Sequence, residues 1–181
     1  MKSLSGIPWR TVSTRPIDQD RWLSLQEDLV ELPSGRTTIS GVASCGECVG
    51  VLPFVEPDTV LLVRQYRYVA CRATWEMPAG GVHPGESVEL AAQRELAEET
   101  GCSAARLTHD STYRTSESVM DETAHLFLGE EMVKLALPPD ETEFTETRLF
   151  PFPEVMRMVR AGEIVDSMTI IAVLHAAQRK S

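Results

Sequence analysis

Residues 80–102, GGVHPGESVELAAQRELAEETGC, constrain the fold more than any other stretch of the chain. A loop punctuated by Gly80, Gly81, Pro84 and Gly85 gives way to a run of helix formers, and Gly101 stops that run. Ser87 supplies an N-cap oxygen, Glu89 suits the positive end of the helix dipole, and Gly101 suits a left-handed C-terminal stop. The segment is therefore predicted to be loop–helix–loop, with three to four helical turns.

At 3.6 residues per turn, Glu95, Glu98 and Glu99 share an arc of about 100°. Glu95 and Glu99 stand at i, i+4, where like charges cost roughly 0.2–0.5 kcal/mol. A divalent cation reverses the sign of that penalty, and hard carboxylate oxygens favour Mg²⁺ or Mn²⁺ over zinc. Clustered glutamates also suit a plain solvated face, so the cluster alone does not separate the two readings.

The rest of the chain reads as one α/β domain with an extension. Its 181 residues, 43% hydrophobic and 24% charged, can bury a core without disulfides. A formal net charge of −10 argues against nucleic-acid or membrane-surface partners, which need a basic face. It leaves phosphorylated substrates open, because a bound cation inverts the local field. The start, MKSLSGIPWR, lacks the apolar core of a signal peptide, and no apolar window is long enough to span a membrane, so a cytoplasmic location is expected. Cys45 and Cys48 form a C-x-x-C pair with no second pair or nearby histidines, so ordinary buried thiols are expected there rather than a metal or redox site.

Residues 1–20 read as an irregular or extended lead-in. Residues 22–32 and 37–39 flank a Pro33-Ser34-Gly35 turn and read as a hairpin. Strands are expected over residues 49–55, 59–63, 107–113, 125–128 and 149–152. Helices are expected over 153–161, with Pro153 at its start and Gly162 at its end, and over 167–178, capped by Asp166 or Ser167.

The full spacing of the opening segment is Gly80, five residues, Glu86, seven residues, Arg94-Glu95-Leu96, one residue, Glu98-Glu99, one residue, Gly101, then Cys102. This pattern resembles the Nudix box, Gx5Ex7REUxEExGU with U aliphatic. Every charged and glycine position matches, and the one departure is Cys102, a small hydrophobe where Leu, Ile or Val is usual. Flanking segments resemble the ADP-ribose pyrophosphatases and related nucleotide-sugar hydrolases of that family. These are Glu76-Met77-Pro78-Ala79-Gly80, Arg64-Gln65-Tyr66-Arg67 and GEIVDSMT in the C-terminal part.

The resemblance implies an α/β/α sandwich with a mixed sheet over residues 46–181, and a small antiparallel β segment over residues 1–45 serving dimerisation and base binding. It implies Mg²⁺-dependent hydrolysis of the pyrophosphate in a nucleoside diphosphate sugar, ADP-ribose or similar, by a homodimer. Glu95, Glu98, Glu99 and the backbone carbonyl of Ala79 become the implied metal ligands, with Gly80, Glu86, Arg94 and Gly101 structural in the box. Glu98 and Glu99 also join the catalytic set. The general base is implied in the late acidic loop, at Glu143 or Glu141. Arg67, Glu76, Trp22 and Glu122 become candidate substrate contacts, against readings of Arg67 as a surface arginine, Glu76 as half of an ion pair and Trp22 as a core residue. The segment SESVMDE, residues 116–122, replaces the Pro and Gly of the related loop by Glu117 and Ser118, which leaves the sugar and base open. GDP-mannose or another nucleotide diphosphate is the alternative within hydrolysis. A non-hydrolytic, nucleotide-sugar-sensing module is the alternative outside it.

Overall fold

The computed structural model describes residues 9–136 and 146–179. Among these, two compact units are distinguished: residues 9–46 with 114–122, and residues 47–113 with 123–136 and 146–179.

In the first unit, β1 (Arg10–Gln19), β2 (Ser24–Glu31) and β3 (Thr37–Ser44) form an antiparallel sheet in that order. The hairpin expected around residues 33–35 joins β2 to β3, and Gly35 takes the left-handed φ of +76° that closes the turn. Within the lead-in, residues 10–19 form a strand, the extended alternative rather than the irregular one. Pro16 is tolerated there because β1 is an edge strand, and the register shifts between Pro16 and Asp18. Arg15 pairs with Glu27 and Arg10 with Glu31 across the β1–β2 ladder. The side chains of β1 are exposed throughout, so no apolar alternation marks the strand in the sequence.

In the second unit, a seven-stranded sheet contains β4 (Glu47–Glu56), β5 (Thr59–Arg67), β6 (Arg72–Glu76), β7 (Ala79–Gly81), β8 (Cys102–Arg114), β9 (Thr123–Lys134) and β10 (Glu146–Pro151). The main order is β10-β5-β4-β9-β8, with β6 on β5 and β7 on β4. β4 and β9 run parallel, whereas β4–β5, β4–β7, β5–β6 and β5–β10 are antiparallel, so the sheet is mixed.

Alternation along β4 and β9 sends side chains to opposite faces. Val49, Val51 and Phe127 pack with Ala91, Ala92 and Leu96 of α1 (Val88–Thr100). Leu52, Phe54, Leu126 and Leu128 pack with Phe152, Val155 and Met158 of α2 (Phe152–Arg160), and with Ala172, Val173 and Ala176 of α3 (Ser167–Arg179). The result is the expected helix–sheet–helix sandwich with a separate small antiparallel sheet. α2 carries proline in its first turn and is followed by Gly162 at φ +70°, as its sequence implied. Asp166, not Ser167, caps α3: its Oδ2 accepts the Thr169 N–H at 2.7 Å. Among the described residues no helix is long and apolar enough to cross a membrane. None of the four cysteines is in a disulfide, and Cys45 and Cys48 are half-buried rather than buried.

Candidate active site

The site is built on α1 and the short strand before it. Ser87 Oγ accepts the Leu90 N–H at 3.3 Å, and Gly101, at φ +66°, donates its N–H to the Ala97 carbonyl. Both ends therefore form where the sequence placed them. The loop into the helix is tied by Glu86, which accepts from the His83 N–H at 3.1 Å and from Arg94 Nε and Nη2 at 3.0 and 2.9 Å. The Arg94 guanidinium, then the His83 amide, draws the Glu86 carboxyl down to about 2, and the same pair raises the pKa of Arg94.

Arg94 is a hub. It also donates to Glu95 Oε1 at 2.6 Å, to Glu98 Oε2 at 3.2 Å and to the Gly81 carbonyl at 2.8 Å. It thereby ties one strand residue and three glutamates of different spacing to a single fork of donors. Glu95 lies against β7, where a Cβ added to Gly80 would fall inside its carboxylate. Only glycine fits at that position without displacing Glu95.

Glu99 is buried, at 4% exposure. Gln65 Nε2 donates to its Oε1 at 2.5 Å, and the Ala79 N–H donates to its Oε2 at 3.3 Å. A carboxylate taken from water needs such donors. Gln65 stands near the end of β5, and no local signal in the sequence marks its role as a donor to Glu99. Glu98 is the exposed member of the trio, with about half of its side chain in solvent.

At the neighbouring strand ends, Arg67 of β5 donates to Glu76 Oε2 of β6 through Nε at 2.9 Å and Nη2 at 2.5 Å. Glu76 is buried and Arg67 half-exposed. The carboxylate raises the Arg67 pKa, outweighing the opposing effect of its burial. The ion pair that was the alternative for Glu76 is thus present, and the guanidinium keeps a solvent-facing part.

The remaining candidates belong to other segments of the chain. Trp22 is exposed rather than a core residue, in a turn where Asp20 Oδ1 accepts the Trp22 and Leu23 N–H groups and the Arg21 guanidinium lies 4.6 Å from the ring centre. Glu122 is half-buried, and its carbonyl accepts the Thr115 N–H at 3.3 Å. Its neighbour Asp121 anchors the loop by accepting the Cys45 N–H at 3.1 Å. Glu141 and Glu143 lie outside the described residues.

The donor set suits a hard divalent cation in kind: carboxylate oxygens on one helix face, one of them seated against Gly80. Among the described residues, no three acidic, histidine or cysteine side chains converge closely enough to hold a metal. Glu95 and Glu98 both turn to Arg94, and Glu99 turns to Gln65 and Ala79.

The model of the Nudix domain matches residues 46–168, and that of the nucleoside diphosphate sugar hydrolase N-terminal domain matches residues 9–39. An ADP-ribose pyrophosphatase of Bacillus subtilis is 33% identical over 177 residues, covering 97% of this chain and 94% of its own length. A methanol dehydrogenase activator of Bacillus methanolicus is 32% identical, covering 92% of this chain and 91% of its own. An ADP-ribose pyrophosphatase of Mycobacterium tuberculosis is 28% identical, covering 92% and 82% respectively. A solved structure described as an ADP compounds hydrolase superposes with a TM-score of 0.86 at 21% identity, over 99% of this chain and 96% of its own, which matches the fold. With an intact box on the corresponding loop, helix and strand, the chain belongs to the Nudix family and is a Nudix pyrophosphate hydrolase.

Proposed function

We propose that the protein is a Mg²⁺-dependent hydrolase of nucleoside diphosphate sugars, ADP-ribose or a close analogue. In this reading, water attacks one phosphorus of the pyrophosphate and the products are a nucleoside monophosphate and a sugar phosphate. The observation that carries the proposal is the Glu95–Gly80 seat beside the pinned Glu99, at the strand ends that also present Arg67. The match of residues 9–39 to the N-terminal domain of nucleoside diphosphate sugar hydrolases supports the substrate class.

Glu95, Glu98, Glu99 and the Ala79 carbonyl would hold the cation. Mg²⁺ or Mn²⁺ bound there supplies charge neutralisation at the phosphate oxygens and acidifies water enough for attack near neutral pH. The chain's own residues do the rest. Gly80 leaves room for the Glu95 carboxylate, and Gln65 with the Ala79 N–H orients Glu99. Arg94 holds Glu95 and Glu98 close to the helix. Arg67 directs N–H donors to a phosphate or the terminal sugar, with Glu76 fixing its orientation. A carboxylate of the late loop, Glu143 or Glu141, takes the proton from the attacking water. Trp22 and Glu122 serve base and loop contacts. Residues 1–45 serve dimerisation, and light scattering is expected to give a homodimer, whereas a monomer would remove that part of the proposal.

The test is side-by-side hydrolysis of ADP-ribose, ADP-glucose and GDP-mannose with Mg²⁺ and product identification. Release of AMP and a sugar phosphate from an ADP-sugar supports the proposal. Preference for GDP-mannose moves the substrate, and ligand binding without any turnover would replace hydrolysis by sensing.

A further inference from the structure

Thr169 is fully buried in the first turn of α3, far in sequence from the box. Asp166 Oδ2 accepts both the Thr169 N–H at 2.7 Å and the Thr169 hydroxyl at 2.6 Å. The hydroxyl proton is thereby committed to the carboxylate. The remaining lone pairs of Oγ1 are directed elsewhere, and Oγ1 accepts the Met77 N–H at 3.0 Å. Donor and acceptor roles along Asp166–Thr169–Met77 are fixed in one sense, without alternatives of hydroxyl rotation.

Met77 begins the turn that leads from β6 into the first residue of β7, Ala79, and three backbone groups of this 77–79 turn are tied to three different elements. The Met77 N–H goes to α3, the Pro78 carbonyl accepts the Val51 N–H of β4 at 2.9 Å, and the Ala79 N–H goes to Glu99 of α1. Pro78 has no N–H to add. Immediately before the turn stands Glu76, which orients Arg67, and immediately after it stands Gly80, which seats Glu95. The side of the sheet opposite α1 therefore holds the segment that lines up both carboxylates. Gly50 of β4 makes this possible, since a Cβ there would collide with the Met77 side chain that packs beneath the turn.

We infer that Thr169, oriented by Asp166, is a positioning residue for the candidate site: its hydroxyl sets the place of the 77–79 turn, and through it Glu76, Ala79 and Gly80. The inference rests on the reading of that site as a hydrolytic centre. A buried N–H that loses its acceptor forces the turn to move or to admit water, and small displacements of a catalytic frame are expensive in rate.

The experiment compares Thr169→Val, Thr169→Ser and Ala176→Gly with wild type, reading kcat, KM, thermal midpoint and backbone amide exchange over residues 77–81. Ala176 lies in the same helix and the same core, remote from the turn in sequence, and serves as the control for general loosening of α3. The expected result is a fall of roughly tenfold or more in kcat for Thr169→Val, a KM that moves much less, faster exchange at residues 77–81, and recovery of most of the rate in Thr169→Ser. Ala176→Gly should lower the thermal midpoint with neither effect. Turnover of Thr169→Val within a factor of about two of wild type, or an equal loss in Ala176→Gly, overturns the inference. If Thr169→Val does not fold, Asp166→Ala leaves the threonine filling the core while freeing its hydroxyl. Normal kcat and normal exchange in that variant overturn the inference equally. If wild type hydrolyses no nucleotide sugar, the functional proposal fails by itself. Exchange at residues 77–81 then decides the inference: faster in Thr169→Val supports it, and unchanged sinks it.

Discussion

Gln65 Nε2 and Glu99 Oε1 stand 2.5 Å apart, joining the end of β5 to the last turn of α1 across the candidate site. Thirty-four residues separate them in sequence, and the contact gives a defined direction to the most buried glutamate of the box. Replacing Gln65 by Leu keeps the bulk and removes one donor. The expected outcome is a fall of roughly tenfold in kcat, with weaker Mn²⁺ binding by electron paramagnetic resonance titration and little change in fold by circular dichroism. Unchanged Mn²⁺ affinity and kcat would show that Glu99 is oriented without it.

Gly80 makes the sharpest steric prediction. A methyl group there occupies the place of the Glu95 carboxylate, whereas a methyl at Gly81 meets nothing within 4 Å. Gly80→Ala should cost about 1–3 kcal/mol of stability, as overpacking does, together with most of the activity. Gly81→Ala should cost far less stability. Urea unfolding of the two variants side by side tests this, and equal costs would contradict the seat.

The Glu86–Arg94 pair predicts a window of acid sensitivity. Glu86 titrates at about 2 in the folded chain against a reference of 4.5, chiefly through the guanidinium of Arg94. A depressed carboxylate stabilises the fold above its unfolded pKa, and that contribution is lost as pH falls from about 4.5 toward 2. Thermal midpoints measured down this range should fall more steeply for wild type than for Glu86→Gln. Parallel curves would show that the pair does not link the loop to folding.

Arg67 and Glu76 can be separated by a double-mutant cycle. Arg67→Ala leaves a buried carboxylate without this partner, and because the guanidinium is half-exposed the expected cost is about 1–2 kcal/mol rather than the larger value of a fully buried pair. Adding Glu76→Gln should recover most of that stability. If Arg67 also meets substrate, the raised KM of Arg67→Ala will persist in the double variant. Recovery of KM along with stability would confine Arg67 to a structural part.

The box was legible in the sequence because its information is local. Ser87, Gly101 and the spacing of Glu95, Glu98 and Glu99 act within one helix, where periodicity and capping apply directly. The β2–β3 hairpin was legible for the same reason, through Pro33 and Gly35. β1 was not, because its residues are polar, exposed and interrupted by Pro16, so neither alternation nor composition separates it from an extended lead-in. β6 and β7 are short strands flanking a Met-Pro pair, too brief to set a period. The links that orient the site were out of reach on physical grounds. Gln65–Glu99 and Thr169–Met77 bring together residues 34 and 92 positions apart, and no local propensity encodes such pairs. Motif resemblance pointed to the segments around residues 65 and 169 without saying what they touch.

The most direct test of the central claim is Mg²⁺-dependent turnover of ADP-ribose by wild type and by Glu99→Gln, with circular dichroism as the check on folding. Wild type should release AMP only when Mg²⁺ is supplied, and Glu99→Gln should stay folded and lose turnover by a factor of about 10² or more. Near-normal hydrolysis by Glu99→Gln, or wild-type hydrolysis that persists undiminished in chelator, would contradict the assignment of this box as the metal-dependent catalytic centre.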